Sequence, residues 1–369
     1  MASSGQLSRL GNDDLIVIGW SLVLKLLLFV LGIKAVMVFD NGALRGLHGY
    51  LEIWNRWDAA HYIEVARSGY KTRIDLVVYP LFPTLIRGFE FLTRDYLVSA
   101  FLVSALALAV AVPLLRRLVA LDHSPQIAMR ACWFFLIFPT AYFLQIGYTE
   151  SVFLALVFGA FLASRTDRWW LAGLLGMLAA MTRANGLALL PALAVEAGHQ
   201  FHRTRKWNWS WCWIILVLAG CAIFLAINRS VGGSFFTFLD IRRTVFRILP
   251  AWPWVGIGHA ITDLGRQPSQ ANMVGGEELF FIGLILVCAI ISWIRLRPAY
   301  ATWISLHALT MTSVTFIQST PRYALACFPI VILFALLAEK RFWLGVLSAW
   351  SLLFFAFFAI LFARGWWAF

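Results

Sequence analysis

The chain is poor in charge. Charged residues make up 13% of its 369 positions, about half the roughly 25% of an ordinary soluble protein. Acids are scarcer than bases, 18 against 30, which leaves a net charge of +12. The five cysteines (Cys132, Cys212, Cys221, Cys288 and Cys327) lie in or beside apolar segments and form no CxxC pattern, so neither a disulfide framework nor a zinc site is expected. There is no tandem repeat, no low-complexity linker and no second soluble domain. No cleavable signal peptide is evident, because Met1–Asn12 is polar and the first apolar run is too long for one. The lack of an evident inverted repeat argues against a secondary transporter.

What the chain has in quantity is apolar surface. Hydrophobic residues make up 61% and mean hydropathy is +0.80. One globular core cannot bury that much side chain and still carry a polar skin. A soluble enzyme, a disordered tail and a fibrous chain are therefore excluded, and a polytopic membrane protein remains. The basic residues stand singly between apolar runs, so nucleic acid is not expected; anionic lipid headgroups and phosphate-bearing substrates suit them better. Many of the 18 tryptophans flank apolar runs, where they anchor at the membrane interface.

About 20 apolar residues span a bilayer. The sequence predicts an all-α, single-domain polytopic fold over 1–369. Its eleven apolar spans are near 15–39, 96–115, 131–147, 150–164, 169–182, 186–198, 210–229, 279–294, 299–317, 322–338 and 342–363. Three of these are short enough to be tilted or broken. With the N-terminus inside, the basic short connections at Arg116, Arg117 and Arg130, at Arg165 and Arg168, at Arg203, Arg205 and Lys206, at Arg295 and Arg297, and at Lys340 and Arg341 all face the cytoplasm. The long connections 40–95 and 230–278 then lie outside, and so do most clusters of mixed polar residues.

In the first long connection, Asn55 reads as the N-cap and Gly69 as the stop of a helix over 56–68. Asp58 and His61, three apart, share a face in its first turns. A carboxylate there can take a proton from a hydroxyl, and His61 can orient a substrate or share the proton; alternatively Asp58 only complements the helix dipole or the cap. Tyr79, in Tyr79-Pro80-Leu81-Phe82-Pro83, is a polar handle at the membrane surface or an interface anchor. Pro139 is expected to kink the span that ends near Gln145, Gly147 and Tyr148. Glu150 follows at a helix start, where the dipole favours an acid. Arg183, in the turn Thr182-Arg183-Ala184-Asn185-Gly186, either binds an anion or snorkels.

In Gln318-Ser319-Thr320-Pro321-Arg322-Tyr323, Thr320 is expected to cap and Pro321 to open a helix. A helix N-terminus with a guanidinium in its first turn suits phosphate, unless Arg322 pairs with an acid. The second long connection alternates Phe235, Phe236, Phe238 and Leu239 with Arg242, Arg243 and Arg247 at helical spacing, as an interfacial helix does; such a helix either grips a lipid phosphate or only anchors. Lys25 falls near mid-depth of the first span, a functional residue or a snorkelling one.

Taken in order, these segments resemble the PIG-V family, the GPI mannosyltransferase II type of GT-C glycosyltransferase. The resemblance is carried by Trp57-Asp58-Ala59-Ala60-His61-Tyr62 with Gly69-Tyr70, by Tyr79–Pro83, by Phe138–Ser151, by Ala180–Gly186 and by Pro321-Arg322-Tyr323. It covers about residues 50 to 330. It implies a GT-C-type membrane enzyme working on the non-cytoplasmic face with a polyprenyl-phosphate mannose donor and a lipid-linked or glycolipid acceptor. Asp58 matches the catalytic carboxylate. The implied substrate-binding set is His61, Arg56, Tyr79, Gln145, Tyr148, Glu150, Arg183, Asn185, Arg242, Arg243, Gln318, Arg322 and Tyr323. The eukaryotic members suggest a partner subunit. The chain is shorter than the resemblance leads one to expect of a eukaryotic member, which points to a prokaryotic relative in a plasma membrane rather than an ER membrane, without a GPI acceptor.

The implied chemistry fits the residues. A phosphate-linked sugar already has its leaving group, and one carboxylate with one or two guanidiniums suffices for an inverting displacement. No Asp-x-Asp pair occurs at the site, because Asp58 is followed by Ala59 and Ala60, so a divalent metal is possible but not indicated and no other cofactor is called for. Two further readings stand beside this one: the same fold acting on another sugar or a protein acceptor, and a lipid or sugar transporter or flippase.

Overall fold

The computed structural model describes residues 11–40, 42–264 and 276–368. The polar start and the stretch 265–275 of the second long connection lie outside the described residues. The helices are α1 (Asn12–Phe39), α2 (Gly46–Glu52), α3 (Asp58–Ser68), α4 (Leu81–Thr93), α5 (Tyr96–Ala120), α6 (Pro125–Ile137), α7 (Glu150–Arg165), α8 (Trp169–Ala180) and α9 (Leu189–Thr204), followed by α10 (Leu216–Gly232), α11 (Thr237–Thr244), α12 (Pro253–Asp263), α13 (Gly276–Arg295), α14 (Pro298–Thr312), α15 (Thr320–Ala324), α16 (Pro329–Leu337) and α17 (Arg341–Ala363). Among the described residues the sole β pairing is an isolated bridge between Pro250 and Val314. The chain is an all-α integral membrane protein.

Five of the expected spans are helices long and apolar enough to cross a bilayer: α1, α5, α10 with its leading 3-10 turn, α13 and α17. The span expected over 150–164 is the continuous helix α7, and the remaining five differ from expectation in continuity. The span expected over 131–147 ends as a helix at Ile137, and a separate 3-10 turn follows at Ala141–Leu144. Pro139 therefore breaks the helix instead of kinking it, as its missing N–H and its effect on the preceding residue both favour. The spans expected over 169–182 and 186–198 meet in a second 3-10 turn, Ala184–Ala188. That expected over 299–317 stops at Thr312, and that over 322–338 divides into α15 and α16. The short helices expected in the two long connections are present: α2, α3 and α4 in the first, α11 and α12 in the second.

Broken backbone inside a bilayer must find hydrogen bonds within the protein. Side chains from other parts of the chain supply them. Thr140 Oγ1 donates to the Pro321 carbonyl at 2.8 Å, Ser151 Oγ to Leu144 at 2.6 Å, Ser104 Oγ to Tyr148 at 3.0 Å, and Lys25 Nζ to Gln145 at 2.8 Å. Lys25 thus serves a freed carbonyl in the interior. The run from Phe134 to Leu154 is buried throughout, so this irregular segment lies in the middle of the bundle.

Around it, α5 packs on α7, α7 on α8 and α8 on α10, while α1 lies against α5, α6 and α17. The α8–α10 approach depends on glycine: a Cβ on Gly220 would stand 2.1 Å from the Met177 carbonyl oxygen. Small residues allow such close packing where lipid supplies no hydrophobic drive between helices.

Ion pairs tie the helix ends together and separate the two ends of the bundle. At one end Asp14 is held by Arg116 and Arg117 at 2.6 and 2.8 Å. There also Arg165 grips Asp122 at 2.7 Å and Arg297 grips Glu196 at 2.8 Å. At the other end Arg364 holds Asp40 at 2.7 Å, and the broken segments converge.

Candidate functional site

The segments that bring Asp58 and Arg322 to the site each enter through a non-glycine residue with positive φ. Trp57, φ 51° and ψ −118°, precedes α3 and starts it at Asp58. The expected cap at Asn55 is not formed; Asn55 donates to Glu52 Oε1 at 3.1 Å instead. Gly69, φ 75°, ends the helix as expected. Ser319, φ 65°, precedes α15, so the cap lies one residue before the expected Thr320. Such backbone costs on the order of 1–3 kcal/mol for a residue with a side chain and persists where surrounding contacts fix it. At Ser319 the fixing contact is Glu278. Its carboxylate accepts the Ser319 and Thr320 N–H groups at 2.7 Å each. The anion at this helix start is thus a side chain from α13.

The charges form one chain. Arg322 Nη1 donates to Asp58 Oδ2 at 2.6 Å, and its Nε to Glu150 Oε1 at 2.5 Å. Glu150 is also held by Arg183, which reaches Thr149 Oγ1 at 3.2 Å. Two acids and two guanidiniums therefore compensate one another, as buried charges require. Burial is graded: Glu150 and Arg322 expose about 5% of their side chains, Arg183 14% and Asp58 48%. Asp58 is the end that faces out. Among the described residues no hydrogen bond engages its Oδ1.

Aromatic rings wall the chain. The Arg322 guanidinium lies 4.7 Å from the ring centroids of both Phe143 and Tyr148, and Arg183 lies 5.3 Å from that of Tyr323. Such contacts stabilise a cation by about 0.5–2 kcal/mol. The Tyr148 hydroxyl donates to the Arg56 carbonyl at 2.7 Å, which fixes the turn before Asp58. Tyr62, one turn after Asp58, stands edge-on to Tyr148. Burial and the Asp58 carboxylate push the Tyr62 phenol above its usual range, so it stays a neutral hydroxyl.

Of the residues expected at the site, Asp58, Tyr148, Glu150, Arg183, Arg322 and Tyr323 come together. Arg183 and Arg322, expected to face an anion, have carboxylate partners. Arg56 is exposed, has no acid partner among the described residues and bonds the Ile53 carbonyl at 3.2 Å. His61 is exposed, and Asn185 and Gln318 are half-buried; none of the three makes a side-chain hydrogen bond among the described residues. Gln145 is fully buried, yet both atoms of its side-chain amide lack a partner. Tyr79 stacks on Phe224, centroids 4.0 Å apart, with Arg242 near its hydroxyl; Arg243 is exposed. Sequence reasoning did not single out Glu278, Tyr62 or Phe143 as site residues. Glu278 alone had a signal, an acid inside the first turn of an apolar span. Among the described residues no three His, Cys, Asp or Glu side chains are placed to hold a metal ion.

An Asp carboxylate half open to the outside, backed by a guanidinium, can accept a proton from a bound hydroxyl. Glu150, sealed between two guanidiniums, has neither the access nor the free oxygen for that work.

The family model Mannosyltransferase (PIG-V) matches residues 41–228, half of the chain. GPI alpha-1,6-mannosyltransferase 2 of Mus musculus is 36% identical over 155 residues, which cover 39% of this chain and 31% of that protein. The protein of the same name from Rattus norvegicus is 35% identical over 144 residues (36% and 29%), and that from Homo sapiens 30% over 160 residues (40% and 32%). The matched stretch thus spans about a third of the length of these relatives. Among solved structures, the apo crystal structure of the Archaeoglobus fulgidus oligosaccharyltransferase is similar at a TM-score of 0.46 and 11% identity, covering 94% of this chain and 56% of that one.

Proposed function

The chain belongs to the mannosyltransferase (PIG-V) family, and from that premise we propose that it transfers a mannosyl residue from a polyprenyl-phosphate donor to a lipid-linked or glycolipid acceptor. The transfer takes place on the non-cytoplasmic face of the membrane, in a GT-C-type fold, with inversion at the anomeric carbon and Asp58 as general base. The observation that carries this reading is the graded chain of charges, in which Asp58 alone combines exposure with a carboxylate oxygen that has no hydrogen-bond partner among the described residues.

The step balances with these groups. The acceptor oxygen forms the new bond to C1 on the face opposite the phosphate and gives its proton to Asp58 Oδ1. The bond from C1 to the phosphate oxygen breaks, and the phosphate leaves with the electron pair. A guanidinium near the leaving oxygen stabilises that charge most when it can meet the phosphate without a competing acid. Arg56, exposed two residues before Asp58 and without an acid partner among the described residues, meets that condition; Arg322 keeps Glu150 as a competing acid even when it releases Asp58. The sidedness is supported by the basic short connections, whose Arg116, Arg165 and Arg297 lie at the bundle end opposite Asp58.

The test is transfer by the purified protein in nanodiscs, supplied with polyprenyl-phosphate mannose and a membrane glycolipid extract. Wild type is expected to transfer mannose, and Asp58→Asn to lose at least about 100-fold in rate, the lower end for losing a general base. Equal rates in the two would remove Asp58 as base, and no transfer by wild type would count against the reaction.

A further inference from the structure

On the face of α3 away from the charge chain lies a polar cavity. It measures about 510 Å³, within the range of small-ligand sites. Helix α3 is the shared wall. Asp58 and Tyr62, four apart, face the charge chain, whereas Ala60, Glu64 and Arg67, at positions i, i+4 and i+7, line the cavity. Its other walls come from α2, from the α4–α5 junction and from the start of α5. The cavity is thus removed from Asp58 by the width of one helix, about 10 Å.

Its chemistry is mixed in sign and unpaired. Two guanidiniums (Arg67, Arg94) share the space with three carboxylates (Glu52, Glu64, Asp95), and no ion pair joins the two sets among the described residues. Arg67 lies over the Tyr96 ring at 5.5 Å and Arg94 over Phe91 at 5.6 Å. Asp95 spends Oδ1 on the Leu97 and Val98 N–H groups and keeps Oδ2 toward His48 at 3.7 Å. Asn55 gives its amide N–H to Glu52, while its amide oxygen is covered from solvent and has no partner. Apart from the Asn55–Glu52 bond and the contacts of Asp95, the charged groups that line the cavity do not pair with one another among the described residues.

A bound phosphate would meet three carboxylates and a bound cation two guanidiniums, so neither matches the lining. A neutral group carrying many hydroxyls matches both, since each hydroxyl donates to a carboxylate or amide oxygen and accepts from a guanidinium. Tyr96, with Ile63 and Leu97, offers apolar surface for the C–H face of a pyranose.

We infer that this cavity is a subsite for a saccharide unit of the acceptor, one that lies further along the glycan than the unit whose hydroxyl reacts at Asp58. The inference rests on the proposed transfer for its link to an acceptor and on the lining alone for saccharide binding. Occupation of the cavity holds the acceptor on both faces of α3 and aligns it with the base.

The experiment is titration of the full-length protein in nanodiscs with α-linked mannobiose, followed by ligand-observed NMR, on wild type, Asp58→Asn and the double variant Glu64→Gln/Arg67→Ala. Glu64 and Arg67 are exposed, so the double variant is expected to fold. Its mannobiose affinity is expected to fall at least fivefold and that of Asp58→Asn to stay at the wild-type value. In the transfer assay the same double variant is expected to raise the KM for the glycolipid acceptor at least fivefold and to leave the donor KM unchanged. Wild-type affinity and wild-type acceptor KM in the double variant would overturn the subsite while leaving the transfer standing. Absence of transfer by wild type would remove the proposed reaction, and the titration by itself would then decide the cavity.

Discussion

Replacement of Glu150 by Gln separates the two duties of the charge chain. In the native chain Glu150 neutralises Arg183 and half of Arg322, and its side chain is 5% exposed. The variant leaves Arg183, 14% exposed, without a carboxylate, and Arg322 with Asp58 alone. Breaking a buried pair by removing one partner costs about 3–5 kcal/mol. With an unfolding entropy near 2.1 cal/mol/K per residue over 369 residues, that corresponds to a Tm lower by roughly 4–6 °C. Asp58→Asn gives the contrasting case. Its carboxylate is 48% exposed, and Arg322 keeps Glu150, so the loss is at most about 1 kcal/mol, or about 1 °C. The assay is thermal unfolding in detergent read by intrinsic fluorescence, for which the 18 tryptophans supply signal. Asp58→Asn is expected to stay near the wild-type Tm while it loses transfer; Glu150→Gln is expected to lose stability. Equal Tm losses in the two variants, or a Glu150→Gln Tm within 1 °C of wild type, would refute the division into a buried anchor and an exposed working end.

Two further outcomes follow from the fold. Gly220→Leu places a side chain on a Cβ position 2.1 Å from the Met177 carbonyl oxygen; α8 and α10 must then separate, and folded protein in the membrane fraction is expected to drop severalfold, whereas Gly258→Ala, with open space at that Cβ, is expected to have little effect. Lys71→Cys, exposed after α3, is expected to react with an impermeant thiol reagent in intact cells when Cys212 is replaced by Ser; protection there would reverse the proposed sidedness.

The family resemblance was legible because it rests on short local motifs, and the match over residues 41–228 covers four of its five stretches. The site was legible as a set of candidates and not as a circuit. Glu150, Arg183 and Arg322 stood out as charged residues at the ends of apolar runs, and Asp58 as an acid in the first turns of a helix in the first long connection. Their pairing did not, since Arg322 meets Asp58 across 264 positions and Glu150 across 172. Hydrophobic periodicity reports which face of a segment is buried and says nothing of which distant segment it meets. The same reason hid Glu278, which reads locally as an acid at a helix start and acts by holding the start of another helix.

By itself the sequence determined the solvent and the class of structure: with 61% apolar residues and 13% charged ones, only a bundle of helices in lipid can satisfy both backbone and side chains. It also determined the helix breaks at Pro139 and around Arg183 to the extent that prolines, glycines and charges interrupt apolar runs. The tertiary structure decided how those breaks are satisfied, by Thr140, Ser151, Ser104 and Lys25, and which carboxylate is left facing out. The physical reason is that each of these outcomes depends on a donor or a counter-charge from elsewhere in the chain, and inside a low-dielectric bundle an unmatched polar group costs several kcal/mol, so the assembled packing rather than any local segment selects the partner.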